Sequence, residues 1–414
     1  MSYITIGMIA LTAIALIFGT LWGMGRGRNR SILRLILIIV CVLGAIFLRP
    51  VITNAIMNLD TGDGTIAEML SSSFSQGGDE MPAAMQNLVV ALIEIIFGLV
   101  SYFVVFFALR IVTWILIYPI CKIFVKREII KKKGWGALIG LIQGLVIAFA
   151  VVVPLNGLTT TMGKLSKIEM EGKPMIEMPA EMGLEDHVSS ATNGIYNAIG
   201  GWYYNILTST ETEDSKITLN AAADVFGAMM GTVTGIEEMG NGVGALTDNS
   251  KTLAEKVDIL RDSSDKLEKA GKILDDLDTD AEKLFNEIIA SLKDMMGSGE
   301  GSDEMAEIFD GLTADKLGLT SIASCFDGIA TYVEKAEMNV GGDVTQEDVE
   351  KIVNNFVGSD FLVDMIIGDG TNEVGTLYQV QAVDQAKFMT AIQNNQDLTA
   401  LQKYSMMKVL GLAD

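Results

Sequence analysis

In the apolar first part of this 414-residue chain, Glu94, Arg110 and Gln143 are the polar side chains that could line a route within one chain. Each would act by charge or hydrogen bonding inside a membrane. Arg110 falls within or near the inner half of a hydrocarbon layer, where a charge costs at least about 3 kcal/mol unless it meets a partner, a cavity or the interface. It is either a functional charge or a side chain that snorkels to the inner headgroups. Gln143 needs a hydrogen-bond partner inside a helix bundle. A transporter or channel component would have to build its polar route from Arg110, Gln143 and Glu94.

Enzymatic chemistry finds no comparable anchor. His187 is the single histidine, no cysteine or serine has a visible base, and no Gly-rich loop follows a strand. Beside Glu185 and Asp186, His187 reads as a helix-surface residue. Asp276, Asp278, Asp280 and Glu287 stand at positions 1, 3, 5 and 12 of a calcium loop, but Ala281 replaces the required glycine and Lys283 takes the usual apolar place. Near Gly342, the same register puts Gly341 where a ligand side chain is needed. Both fragments fit helix starts better. The sequence assigns no catalytic residue, no cofactor and no metal, and points to a non-enzyme.

The elements that must position these residues are membrane spans. From Trp135 to Leu155 no charge occurs, and at about 1.5 Å rise per residue such a helix crosses the ~30 Å hydrocarbon core. Within it Gly136, Gly140, Gly144 and Ala148 recur every fourth residue, a small-residue face that lets another helix backbone come close, from the same chain or a second protomer. Further spans are expected at about 4–24, 31–48 and 96–118. The second ends at Arg49-Pro50, with Arg49 snorkelling to the outer interface. Residues 87–125 are almost continuously apolar, too long for one ordinary span. Either an interfacial lead-in containing Glu94 precedes a span that bends near Pro119, which is preferred, or the span stops at Arg110 and Ile111–Val125 lies on the inner leaflet.

Charge separates two halves. Residues 1–160 carry net +5 and residues 161–414 net −27, giving the chain's −22. Basic residues after span one and before span four mark the cytoplasmic side. Both termini then lie outside a bacterial cytoplasmic membrane, with Asn156 and Asp414 accessible there and Asn29 inside. The acidic half, without clustered Lys and Arg, excludes nucleic acid as a partner. Three scattered cysteines leave its fold to packing.

The first span running into Gly19, Gly23 and Gly25-Arg26-Gly27, and the span Gly136-Ala-Leu-Ile-Gly140-Leu-Ile-Gln-Gly144, resemble the colicin V production protein family over residues 1 to about 157. The resemblance implies a small four-helix membrane protein linked to export and envelope maintenance, with no catalytic residues to carry over. The long third run and the carboxy-terminal domain depart from that family.

After a connector at 158–182 with breakers Pro174 and Pro179, the chain has no proline, and residues 183–414 should form a nearly all-helical domain. Thr252 with Glu255, Thr279 with Glu282 and Thr345 with Asp348 read as helix caps. Four-three repeats from Leu253 and from Ala281 suggest two antiparallel helices joined at DDLDTD, or one longer helix with a stammer. The 23 methionines are core filler or an adaptable groove for peptide or lipid. Trp202, Tyr203 and Tyr204 belong to the outer interface or to a core. The expectation is an all-α protein: a four-helix transmembrane bundle with a helical acidic ectodomain. Its partners are the lipid bilayer, an envelope or membrane protein and possibly its own copy.

Overall fold

Long apolar runs satisfy their backbone groups only as helices when water is absent, and the fold is all-α, with two short antiparallel strand pairs among the described residues. A computed structural model describes residues 2–59, 65–66, 69, 83–125, 133–166, 169–170, 173–174, 179, 182–211, 216–248, 250–296, 311–368 and 374–413. Most of the expected outer loop and the basic run 126–132 lie outside the described residues, as does Asp414. Among the described residues four helices are long and apolar enough to cross a membrane: Tyr3–Arg26, Arg28–Met57, Val90–Phe124 and Lys133–Leu165.

In the first of two compact units, Met1–Ala223, helix α1 (Tyr3–Arg26) starts at the Ser2 cap and is parted from α2 (Arg28–Met57) by Gly27, whose φ of 78° a side chain would resist. The third run is helical throughout: α3 (Ala83–Val112), a π-helical turn at Thr113–Ile117, and α4 (Tyr118–Phe124). The irregularity precedes Pro119, whose ring and missing N–H disturb the α-ladder upstream, and Tyr118 N–H reaches back to Thr113 O. Helix α5 (Lys133–Leu165) contains Pro154 and continues through the first residues of the expected connector. Short α6 (Leu184–Val188) and α7 (Ala191–Leu207) then fold back onto α5, so this part of the expected ectodomain belongs to the bundle's unit. Strands Glu169–Met170 and Lys173–Pro174 form one pair, Ser209–Glu211 and Lys216–Thr218 the other.

The packing is inverted relative to a water-soluble bundle. Ile14, Phe18, Leu21, Phe47, Val104 and Leu145 face outward, while glycine, alanine and hydrogen-bonded polar groups fill the contacts between helices.

The second unit, Asp224–Asp414, is divided from the first within α8 (Leu219–Thr247). Its repeats form two helices, α9 (Leu253–Asp275) and α10 (Thr279–Met296). α9 packs on α12 (Leu319–Ala336), which follows the short α11 (Ala314–Leu317). α13 (Gln346–Val357), α14 (Asp360–Ile366), α15 (Gln385–Asn394) and α16 (Ala400–Val409) complete it. Capping boxes are present at Thr252/Glu255 and Thr345/Asp348, and a further one at Thr399/Gln402. At α10 the cap is Asp278, whose carboxylate accepts from Ala281 N at 2.9 Å; Thr279 is already helical. Asp278 therefore serves as the cap of α10. Met406 is buried and lines an apolar cavity of about 80 Å³ with Phe326, Ile352, Phe356 and Phe388.

Candidate functional site: the buried polar layer of the bundle

The glycine face of α5 meets α1 antiparallel. Gly136 lies against Gly23, Gly140 against Gly19 and Gly23, and Gly144 against Ala15 and Leu16, close enough that a Cβ at any of the three would strike backbone. Ala148 joins Met8 and Val152 in a small cluster farther along. Gln143 is buried beside this face, and its Nε2 donates to Ser31 O on α2. That hydrogen bond supplies the partner its polarity demands.

Beyond these helices' apolar contacts lies a layer of hydrogen bonds built from α1, α5, α6 and α7. Asn156 on α5, 1% exposed, donates through Nδ2 to Asn193 Oδ1 at 2.8 Å and Asn197 Oδ1 at 3.1 Å. Asn193 and Asn197 sit one turn apart on α7, so both amides face the same partner. With Nδ2 committed, Asn156 Oδ1 accepts from His187 Nε2 at 3.0 Å. His187 Nδ1 is then the acceptor for Thr5 Oγ1 at 2.9 Å, and Ser2 Oγ donates to Thr5 Oγ1 at 2.8 Å. Asn193 Nδ2 closes on Val188 O at 2.8 Å. Ser2, Thr5, Asn156, His187 and Asn193 each hydrogen-bond within this network, which is what makes burial of this many polar atoms tolerable.

His187 is 0% exposed, which corrects its expected place on a helix surface. Burial pushes its pKa below the ordinary imidazole value and keeps it neutral. Asn156, expected to be accessible from outside, is likewise an interior hydrogen-bond hub.

The aromatic triplet divides. Trp202 is 60% exposed, whereas Tyr203 and Tyr204 are each 2% exposed. Tyr203 Oη pairs with Tyr102 Oη, which donates onward to Ala150 O at 3.0 Å. Tyr204 Oη meets Thr161 Oγ1 at 2.9 Å, and Thr161 donates to Asn220 Oδ1 at 2.6 Å.

Arg49 does more than snorkel. Its Nη1 donates to Ile206 O at 2.7 Å and its Nη2 to Ser209 O at 2.8 Å, so a cation from α2 closes the carboxy-terminal end of α7. Glu94 is the carboxylate whose charge Arg49 feels. Arg110 has other neighbours: Cys41 and Arg26. Glu94, Arg110 and Gln143 thus answer to different sets of groups.

No family model, curated protein or solved structure matches this chain. The chemistry must be judged from the side chains. Among the described residues no three His, Cys, Asp or Glu side chains gather as metal ligands. The layer offers a neutral histidine, amides and hydroxyls, all hydrogen-bonded to one another, and these hold helices in register. Sequence reasoning passed over Ser2, Thr5, Asn193 and Asn197 and placed Asn156 at an accessible position. Their one available signal was the Asn193/Asn197 spacing, which places both amides on one helix face.

Proposed function

We propose that this chain is a non-enzymatic integral membrane protein of a bacterial cytoplasmic membrane that acts as a scaffold or accessory factor in export or envelope maintenance. The resemblance of its first 157 residues to colicin V production proteins supplies the process. The observation that carries the scaffold role is the contact of α5 on α1: glycine backbones meet directly, and Gln143 beside them is spent on Ser31 O. Such an interface is a rigid joint, whereas a transport route needs hydrated polar groups facing one another. His187, hydrogen-bonded at both ring nitrogens, supports a positioning role over a catalytic one.

In this reading the basic loops face the cytoplasm and the acidic unit works outside, where it meets an envelope protein. Topology is tested by removing Cys41, Cys121 and Cys325 and placing single cysteines at exposed Glu185 or at Asn29. An impermeant maleimide added to whole cells should label position 185 and leave position 29 unlabelled; the reverse pattern inverts the orientation. Function is tested by deletion in the native bacterium. Altered protein export or detergent sensitivity, restored by the parent chain, is expected. An intact envelope together with altered solute uptake would instead favour a transporter component.

A further inference from the structure

The sequence is short of carboxylates where its arginines cluster. No Asp or Glu occurs before Asp60, and between Glu94 and Lys133 there is only Glu128, outside the described residues. Into this setting α1, α2 and α3 each send an arginine. Arg26 and Arg34 share one ring: their guanidinium carbons lie 5.3 Å and 5.8 Å from the centroid of Trp22. Arg34 also lies 4.2 Å from the centroid of Tyr118. Although charged, it is only 6% exposed. Tyr118 also hydrogen-bonds Arg34, and Arg110 on α3 lies within electrostatic reach of Arg34 and Arg26, adding a third like charge. Among the described residues no carboxylate forms an ion pair with any of the three.

We propose that Arg26, Arg34 and Arg110 form a binding site for a phosphate-class anion between the first three spans. Three like charges brought together at a membrane protein's low-dielectric edge repel, and aromatic faces satisfy their charge only in part, leaving N–H donors to be used. An anion resolves both problems. Phosphate fits best, because its oxygens accept the planar two-donor fork of arginine and can take forks from several sides at once. Trp22, more than half exposed on the lipid-facing side of α1, sets the group at a depth where indole rings meet headgroups. The anion is supplied either by an anionic phospholipid headgroup or by free phosphate. The site is independent of the export role proposed above.

The full chain, purified and delipidated in a neutral detergent, is unfolded thermally while its tryptophan fluorescence is followed. It is titrated with phosphatidylglycerol, with net-neutral phosphatidylcholine and with inorganic phosphate at constant ionic strength. Native mass spectrometry reads retained lipid in parallel. A rise in Tm with phosphatidylglycerol alone identifies the headgroup, and an equal rise with inorganic phosphate identifies the free anion; both support the site. Arg26→Gln, at the end of α1, should weaken the apparent affinity about tenfold. Should that variant not fold, Arg26→Lys keeps the charge without the fork and should weaken binding severalfold. The site is overturned if phosphatidylcholine stabilises as well as phosphatidylglycerol, if neither anion shifts Tm and no anionic lipid is retained, or if the folded variant binds like the parent.

Discussion

Tyr102 supplies the hydrogen bond that Pro154 cannot. In α5 the carbonyl of Ala150 would accept from the amide of residue 154, but proline has none, and the Tyr102 hydroxyl from α3 donates to Ala150 O at 3.0 Å. The same hydroxyl receives Tyr203 from α7, so a backbone vacancy in one span becomes the point where three helices are joined. This is how the bundle accommodates a proline inside a long apolar helix.

Removing that hydroxyl should leave Ala150 O and Tyr203 Oη unpaired. Tyr102→Phe is expected to destabilise the first unit by about 2 kcal/mol, within the range for a buried group left unsatisfied. Pro154→Ala restores an amide to the helix, so the loss from Tyr102→Phe should be smaller in the Pro154→Ala background. A double-mutant cycle on thermal or denaturant unfolding in detergent measures this. Additive losses would show that the two residues are not coupled.

The contact of Gly140 with Gly19 and Gly23 makes a sharper demand. A Cβ on Gly140 would meet Gly19 O and come within 2.9 Å of Gly23 Cα, so Gly140→Leu must separate α1 from α5. A loss of about 3 kcal/mol is expected from overpacking and forfeited van der Waals contact. Leu141 is exposed, and Leu141→Ile should change stability by less than about 0.5 kcal/mol. Cysteine crosslinking between α1 and α5 should fall in the first variant and persist in the second. Equal crosslinking and Tm in both would refute the packing role of this face.

His187 gives the unit a pH dependence with a fixed sign. Burial lowers its folded pKa below the unfolded value of about 6.5, so the stability this neutral ring contributes is present above that value and is lost as pH falls through the folded pKa. The groups around it are Thr5 and Asn156; Glu185 and Asp186 on its own helix are exposed. Since it is the only histidine, His187→Gln should lower Tm at pH 7.5 and flatten the decline between pH 7 and 5.5. An unchanged slope in the variant would assign the pH response elsewhere.

The spans were legible because apolar length is a one-dimensional property: every lipid-facing Ile, Leu and Phe contributes to it whatever its neighbours do. The glycine face of α5 could be read for a related reason, since small residues at every fourth position mark a close contact before the partner is known. That the partner is α1 follows in hindsight from Gly19 and Gly23, which carry the same spacing. Pairings between distant segments were not legible. His187 looks like a surface residue because Glu185 and Asp186 beside it are exposed, but the chain turns it towards Thr5, 182 positions earlier. Pro154 reads as a helix breaker unless one knows that Tyr102 stands opposite its vacancy. Arg26, Arg34 and Arg110 read as separate boundary charges, and Trp22 brings two of them together only in three dimensions.

Arg49 carries the last prediction. As a side chain that merely snorkels it would be replaceable by lysine, which reaches the interface equally well. Its two terminal nitrogens instead reach two different carbonyls, Ile206 O and Ser209 O, at the point where α7 gives way to a strand. Lysine, with one ammonium on a flexible stem, cannot hold both acceptors in that geometry. Arg49→Lys is therefore expected to lose about 1 kcal/mol and Arg49→Leu about 2 kcal/mol, the latter leaving both carbonyls without the cation. Hydrogen exchange should locate the damage: amides from Tyr203 to Ile206 at the end of α7 should exchange faster in both variants, while those of α1 keep their protection. If Arg49→Lys matches the parent in stability and in exchange at Tyr203–Ile206, the arginine is an interfacial anchor and the cap assigned to it is wrong.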